Sequence, residues 1–390
     1  MFCEASGTCE HDALGNVRIA VVGGGIAGAT AAYHLTEVHP DAEVFLLEAE
    51  PVLAHHTTGR SAAIFVENLA TPPNRIMLRA GRDFLWDPPE GLADHPILTH
   101  RTVMHVATEA QVGALEETYA AGQAVTTPSE WLTPEEAAVH FPPIRSELLA
   151  AAVLEPECAD IDVGGLHQAY IRGMRRNGGT IATSRRVDAA RPDGDGWRLD
   201  TTDGEVGADV LVNAAGSWGD LVAASAGVEP VGLQPNRRTA FMVNGPGVDA
   251  TGWAFTIDAE SRWYTKDDGP QMLCSLVEET PFEPCDVKPD EADVALAIER
   301  INEATTLAIR SVNSSWAGLR TFAPDRSLVI GPDPGRPAFV WCVGQGGCGI
   351  QTSAGAGRLL ADLALGGEPS ETFGGADVSG LLPGRLRAHG

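Results

Sequence analysis

Apolar and polar positions along the chain fall into blocks that switch between short buried strands and amphipathic helices. The first block is the most informative. An apolar run, Ile19-Ala20-Val21-Val22, enters Gly23-Gly24-Gly25-Ile26-Ala27-Gly28, and Ala29 to Leu35 carries a helical pattern. A second run, Glu43 to Leu47, ends at Glu48. Strand, glycine turn, helix, strand and acid in this order predict a βαβ unit that holds a dinucleotide. Gly23 permits the tight turn, Gly25 lets a pyrophosphate approach the backbone, and Gly28 lets the helix pack close to the strand. The free N–H groups and positive dipole end of the helix hold the phosphates. Glu48 lies 20 residues beyond Gly28, the spacing of an acid that accepts from a ribose hydroxyl.

Farther along, the spacing predicts helices over 75–86 and 109–121, a strand over 101–107, and a helix opening at Thr133-Pro134. Val163 to Asn177 is amphipathic, with Leu166, Tyr170, Ile171 and Met174 on one face. Gly178-Gly179 stops it, and 180–187 reads as a strand. Short strands at 197–201 and 205–206 flank Asp203-Gly204, a hairpin signal. Residues 208–216 read as a buried parallel strand running into small residues. The region 232–278 is strand-like, with Arg237, Arg238, Trp253, Trp263 and Tyr264 interspersed. A helix over 290–308, strands at 328–330 and 338–343, a glycine loop at 344–349 and a helix to about 365 complete the pattern. Glycine turns thus follow three well-separated strands, at 23–28, 215–216 and 344–349. In an open α/β sheet such ends line one crevice, so the ligand is extended, and FAD fits this better than NAD.

The length, 390 residues, predicts two domains, and 44% hydrophobic with 21% charged residues is ordinary for a globular protein. No apolar run approaches the roughly 20 residues of a membrane span. A net charge of −26 argues against nucleic acid and anionic membranes as partners. Lys266 and Lys288 are the two lysines, so arginine supplies the other 25 of the 27 basic residues. The seven cysteines show no zinc spacing, and no metal is expected. Residues 1–16 hold Glu4, Glu10 and Asp12 without a basic start, which predicts a polar extension on a cytoplasmic protein with free thiols.

The motifs together resemble the D-amino-acid oxidase family, the glycine/sarcosine oxidase-like flavoproteins. The matching pieces are the glycine turn with Glu48, Thr58-Gly59-Arg60-Ser61-Ala62-Ala63, the run 210–216 with Ala214-Ala215-Gly216, Trp316 to Arg320 with Pro324-Asp325, and the last glycine loop. Within the family, Asp160-Ile161-Asp162, Leu166-His167-Gln168, 232–235, Arg237-Arg238, 303–306 and 349–353 most resemble the bacterial FAD-dependent D-arginine dehydrogenases. The resemblance spans nearly all of the chain after residue 17. It implies an α/β fold in which a Rossmann-like, glutathione-reductase-type FAD domain (17–75, 150–232, 315–385) is interleaved with a mixed-sheet α+β substrate domain (76–149, 233–314). It also implies non-covalent FAD, because the cysteine through which some relatives attach flavin corresponds to Gly318.

The resemblance places Gly23, Gly25, Ile26, Ala27, Gly28, Glu48, Ala49, the six residues Thr58 to Ala63, Val187, Ala214, Ala215, Gly216, Trp218 and Gly318 at the cofactor. It adds Gly346, Gly347, Gly349, Ile350, Gln351 and Thr352, and expects the following helix to point its positive end at the flavin N1/C2=O edge. Arg320 is aimed at a substrate carboxylate, with Tyr264 and Arg238 as partners, and Gln351 is expected to reach substrate or flavin. His55 and His56 are expected at the flavin loop. The substrate pocket departs from D-arginine dehydrogenase: an acid is replaced by Val103, a histidine by Ile64, and tyrosines by Leu69 and Cys348. A cation would lack a partner there. The expected reaction is therefore oxidative deamination of an apolar or aromatic D-amino acid by hydride transfer from Cα to flavin N5, giving a 2-keto acid and ammonia. The alternative substrate is an N-alkyl or cyclic secondary amino acid. Oxygen, a quinone or a dye would accept the electrons.

Overall fold

The computed structural model describes residues 17–387, and the polar extension expected over 1–16 lies outside the described residues. The βαβ unit forms as β1 (Arg18–Val22), α1 (Ile26–Val38) and β2 (Glu43–Leu47). After β3 (Ile64–Phe65), α2 (Pro72–Trp86) starts before the expected position, because the first helical turn tolerates prolines that lack an N–H. β4 (Leu98–Ala107), α3 (Val112–Gly122) and β5 (Glu130–Leu132) follow. α4 (Pro134–His140) opens on Thr133, whose N–H donates to the Glu136 carboxylate at 2.8 Å while its hydroxyl accepts the Glu136 N–H at 3.3 Å.

β6 (Ala151–Ile161) has no counterpart in the hydrophobic pattern. Pro156 and several acids interrupt its alternation, and one of them, Glu155, is buried because His105 on β4 meets it at 2.9 Å. α5 (Val163–Arg176) is the expected amphipathic helix. The strand expected over 180–187 is instead two strands in different sheets, β7 (Thr180–Ala182) and β8 (Val187–Asp193), separated at Ser184 with a φ of 54°. β9 (Gly196–Thr201) and β10 (Gly204–Ala208) form the hairpin. Its turn is Thr202-Asp203, because Gly204, at a φ of 89°, already pairs with Thr201.

β11 (Val210–Asn213) and α6 (Gly219–Ser225) precede a run of strands, β12 (Gln234–Asn244), β13 (Phe255–Asp258), β14 (Tyr264–Asp268), β15 (Gln271–Ser275) and β16 (Thr280–Pro281). α7 (Glu291–Ala304) stops short of 308, since Thr305 is extended. β17 (Ser314–Phe322), β18 (Val329–Asp333), β19 (Arg336–Val343) and α8 (Ser353–Leu363) complete the order.

Two sheets dominate. The first runs β18-β19-β11-β1-β2-β7, parallel except for edge strand β18. Period-two alternation sends Ile19 and Val21 to one face, against Tyr33, Tyr170 and Leu359 of α1, α5 and α8. Ala20 and Val22 go to the other face, with Trp197 and Leu199 of the three-stranded β8-β9-β10 sheet. The second sheet has ten strands, ordered β16-β12-β15-β14-β13-β4-β6-β3 with β17 beside β12 and β5 beside β6. One face packs Phe241, Cys274 and Met104 on Ile301 of α7. The opposite face carries Val103, Ala240, Ile257 and Tyr264. β3, β6 and β17 pair in this sheet although their residues fall in segments expected for the FAD domain. The segments that supply the parallel sheet thus also supply strands to the large sheet.

His34 of α1 is buried against Tyr33, Phe84 and Tyr170, and burial pushes its imidazole down to about 3. It stays neutral in the folded chain but takes a proton near pH 6.5 once unfolded. Its contribution to stability is complete above about pH 6.5 and falls away below it. Melting temperature should drop between pH 7 and pH 5, and a His34→Leu variant should show a shallower drop, measured by circular dichroism.

Candidate active site

β1, β11 and β19 are neighbours in the parallel sheet, so the three glycine turns that follow them meet. Together they line one cavity of 720 Å³ that reaches from Glu48 and Trp218 to Arg238, Tyr264 and Arg320 on the large sheet.

At the end of the cavity beside β1, Gly23 and Gly28 allow close backbone approaches. Gly23 has a φ of 108°, and a Cβ there would stand 2.5 Å from the Ala214 carbonyl oxygen. A Cβ on Gly28 would lie 1.8 Å from the Gly23 carbonyl oxygen, so Gly28 sits beneath the turn and does not itself line the cavity. Thr58 caps the helix start by accepting the Ile26 N–H at 3.0 Å. The remaining first-turn N–H groups, which have no intrahelical acceptor, are left for an anion. The Glu48 carboxylate accepts the Gly24 N–H at 2.6 Å and the Glu50 N–H at 2.7 Å, which fixes it at the end of β2. His167 of α5 supports the turn from behind, donating to the Gly24 carbonyl at 2.9 Å; burial keeps its pKa low and the ring neutral. In the sequence it showed as part of the Leu166-His167-Gln168 motif, without this role.

The loop 57–60 is stapled to β17. The Thr57 hydroxyl donates to the Leu319 carbonyl at 2.8 Å, Arg60 donates to the Ala317 carbonyl at 2.8 Å, and the Trp316 indole donates back to the Arg60 carbonyl at 3.1 Å. Arg60 lines the cavity but commits its guanidinium to Ala317 and to Asp286, at 2.7 Å. His56 meets Glu50 at 3.0 Å and packs its ring on Trp218 at 4.8 Å. Among the described residues, Glu50, His55 and His56 are the one group of such donors near enough to share an ion, and the His56–Glu50 bond already engages two of them.

At the other end stand the groups that can hold a substrate. The half-buried Arg320 guanidinium makes no hydrogen bond or ion pair with a described residue. It crosses Gly347 so closely that a Cβ there would lie 3.2 Å from Nη1. Arg238 is buried; its Nε donates to the Glu278 carbonyl at 2.7 Å, and Nη2 lies 3.4 Å from Glu279. Burial, and after it the charge of Arg320, push its pKa below the ordinary guanidinium value. An anion between the two arginines would offset both effects. Tyr264 and Ala240 form the floor beside them.

Of the other expected contacts, Gly25, Ile26, Ala27, Ala49, Ser61, Ala62, Val187, Ala214, Ala215, Gly216, Gly318, Gly346, Gly349 and Ile350 line the cavity. Gly59, Ala63, Gln351, Thr352, Ile64, Val103 and Cys348 do not. Gly59 closes the loop with its N–H on the Ala54 carbonyl, and Ala63 turns at a φ of 56°. The Gln351 amide oxygen accepts the Val66 N–H at 2.8 Å, which commits it to the wall. The buried Thr352 hydroxyl donates to the Cys348 carbonyl at 2.9 Å. Val103 is fully buried in the apolar layer that Ile64 and Tyr264 share, and burial pushes the Cys348 thiol up to about 12. Residues 350–352 form a turn, so α8 begins at Ser353, farther from the loop than expected. Arg185, Arg186 and Gln345 line the cavity without a signal in the sequence. Removing the Glu48 carboxylate should weaken cofactor binding by roughly 10- to 100-fold. Glu48→Ala protein should purify with sub-stoichiometric flavin, read from its absorption spectrum.

The model of the DAO family, described as FAD dependent oxidoreductase, matches residues 18–363. Glycine oxidase of Geobacillus kaustophilus is 24% identical over 370 residues, covering 88% of this chain and 92% of that protein. Rat mitochondrial dimethylglycine dehydrogenase is 25% identical over 262 residues, 61% of this chain and 30% of that protein. The crystal structure of the same glycine oxidase superposes with a TM-score of 0.82 at 22% identity, covering 94% of this chain and 98% of that one. L-proline dehydrogenase from P. horikoshii gives a TM-score of 0.81 at 17% identity, covering 96% and 98%. These likenesses give the fold, and no helix among the described residues is long and apolar enough to cross a membrane. The anion cradle at 23–28, the acid at Glu48 and the extended cavity fit FAD, and with the match over 18–363 the chain belongs to the DAO family of FAD-dependent oxidoreductases.

Proposed function

We propose that the chain oxidises the C–N bond of an α-amino acid with an uncharged side chain, whose carboxylate is held by Arg320, with Arg238 and the Tyr264 hydroxyl beside it. The carrying observation is the Arg320 guanidinium: it lines the cavity and pairs with no carboxylate among the described residues. Its planar donors match a carboxylate in pairs, which fixes the direction of Cα. The side chain of the substrate then lies toward the apolar layer of Tyr264, Ala240 and Ala62, with Val103 and Ile257 behind. An apolar or aromatic D-amino acid is the first reading. The D configuration rests on the likeness of Arg237-Arg238 and the 349–353 segment to D-arginine dehydrogenases, and the apolar layer of Tyr264, Ala240 and Ala62 holds no acid to pair with arginine itself.

Bound FAD supplies the hydride acceptor. The chain supplies orientation: the carboxylate clamp places Cα–H, and the apolar wall keeps water from the reacting carbon. The substrate amine must be neutral when hydride leaves, so its lone pair can form the imine that water converts to a keto acid and ammonia. A second reading is an N-alkyl or cyclic secondary amino acid, because the same clamp accepts it. Structural neighbours include L-proline dehydrogenase, iminodiacetate oxidase and L-amino acid deaminase as well as glycine oxidase.

Anaerobic bleaching of the flavin by a panel of D-, L- and N-methyl amino acids separates the two readings. Apolar D-amino acids should bleach fastest, and D-arginine as the best substrate would overturn the first reading. Admitting air then shows whether oxygen takes the electrons. Arg320→Met should raise KM by roughly 100-fold at unchanged flavin content. Loss of flavin in its place would mean that Arg320 serves the cofactor.

A further inference from the structure

β12 pairs with two strands along the same edge. Residues 240–244 pair with β15, and Asn236 and Arg237 pair with β16. The four residues 276–279 therefore stand opposite only Arg238 and Thr239, which makes a wide bulge in the ladder. Val277 within it has a φ of 65°, a left-handed conformation that is costly for a β-branched residue. Bulges of this kind re-aim a side chain next to a site, and strain persists where the surroundings over-determine it.

The bulge is held by side chains that replace the missing ladder bonds. The Thr239 N–H donates to Oε1 of Glu278 at 2.5 Å, and the Ser275 hydroxyl donates to the Thr239 carbonyl at 2.6 Å while accepting the Val277 N–H at 3.1 Å. With the Glu278 side chain tied down, its own carbonyl oxygen is delivered to Nε of Arg238 at 2.7 Å. Oε2 of Glu278 is buried and has no partner among the described residues, and burial raises the pKa of this carboxyl. The charged and titratable groups around this pair are Arg320 on β17, Tyr264 on β14, and Glu279, which also meets Arg326 at 2.9 Å.

We propose that Glu278 is a positioning residue for carboxylate recognition: by capping the 276–279 bulge it fixes the Arg238 guanidinium beside Arg320 in the cavity. The inference rests on the reading of Arg320 and Arg238 as a carboxylate clamp. Glu278 is not among the residues that line the cavity, and it acts through Arg238 alone. The separation of duties is chemical: the hydrogen bond to Thr239 needs an acceptor, and the hold on Arg238 needs the carbonyl that this bond delivers. Glutamine at 278 keeps both, whereas alanine loses the acceptor and frees the bulge.

The test uses the FAD-loaded protein and benzoate, a carboxylate without an amine to oxidise, whose binding is read from the flavin absorption spectrum. Glu278→Ala should raise the benzoate Kd and the KM of the best amino acid in the panel about tenfold, with kcat within about threefold. Glu278→Gln should stay within about threefold of the parent. In an Arg238→Met background, Glu278→Ala should add nothing, since the effect runs through Arg238. If Glu278→Ala loses its flavin or melts early, Glu278→Asp, one methylene short of Thr239, takes its place in the same cycle. Unchanged Kd and KM in either variant, or an equal effect with Arg238 already removed, would overturn the proposal. Benzoate binding that is insensitive to Arg320→Met would instead overturn the clamp reading itself.

Discussion

Everything at the active site depends on the staple between the loop 57–60 and β17. The Thr57–Leu319, Arg60–Ala317 and Trp316–Arg60 hydrogen bonds join the nucleotide-binding unit to the sheet that carries the arginines. Arg320 lies one residue beyond the Leu319 carbonyl that Thr57 holds, and Thr58 on the other side caps the nucleotide-binding helix. The distance between the nucleotide cradle and the two arginines is thus set by side-chain-to-backbone hydrogen bonds between this loop and β17. A productive hydride geometry has to be held to fractions of an ångström, and such bonds are stiffer than any contact between surface side chains.

The second constraint is electrostatic. The chain as a whole is strongly acidic, at −26, yet two guanidiniums converge at one end of its cavity, Arg238 with Glu279 at 3.4 Å and Arg320 without an ion pair to a described residue. Several other half-buried or buried arginines are matched: Arg101 with Asp160 and Asp267, Arg237 with Asp290 and Asp293, Arg385 with Asp325. Arg320 is half-buried, lines the cavity and makes no ion pair with a described residue. Half-buried positive charge inside a negative surface favours an anionic occupant of this end of the cavity.

Glycine appears in three mechanical roles along the cavity. Gly23 turns the chain, Gly28 lets a helix touch a carbonyl, and Gly347 leaves room for the Arg320 guanidinium to cross it. The loop that holds Gly347 reads in the sequence as a cofactor loop. The 276–279 bulge completes the arrangement from the opposite edge of β12, so both arginines are aimed by departures from regular secondary structure.

The βαβ unit, the three glycine turns and the identity of FAD were legible in the sequence, because local spacing dictates them: a tight turn, a helix start and an acid at the strand end need no long-range partner. Arg320, Arg238 and Tyr264 were legible as residue types in motifs. The sequence did not reveal β6, whose polar residues become buried through a partner 50 positions away in the chain, His105 with Glu155. Nor did it reveal that Gln351 and Val103 stand behind the cavity wall, that β3, β6 and β17 belong to the large sheet, or that Glu278 lies behind Arg238. Each of these depends on which strand lies beside which, and strand neighbours are chosen by the packing of whole sheets. Local pattern determined the cofactor end of this protein; the tertiary pairing of distant strands decided which side chains face the substrate, because a side chain's direction on a sheet follows from register and bulges that no single segment encodes.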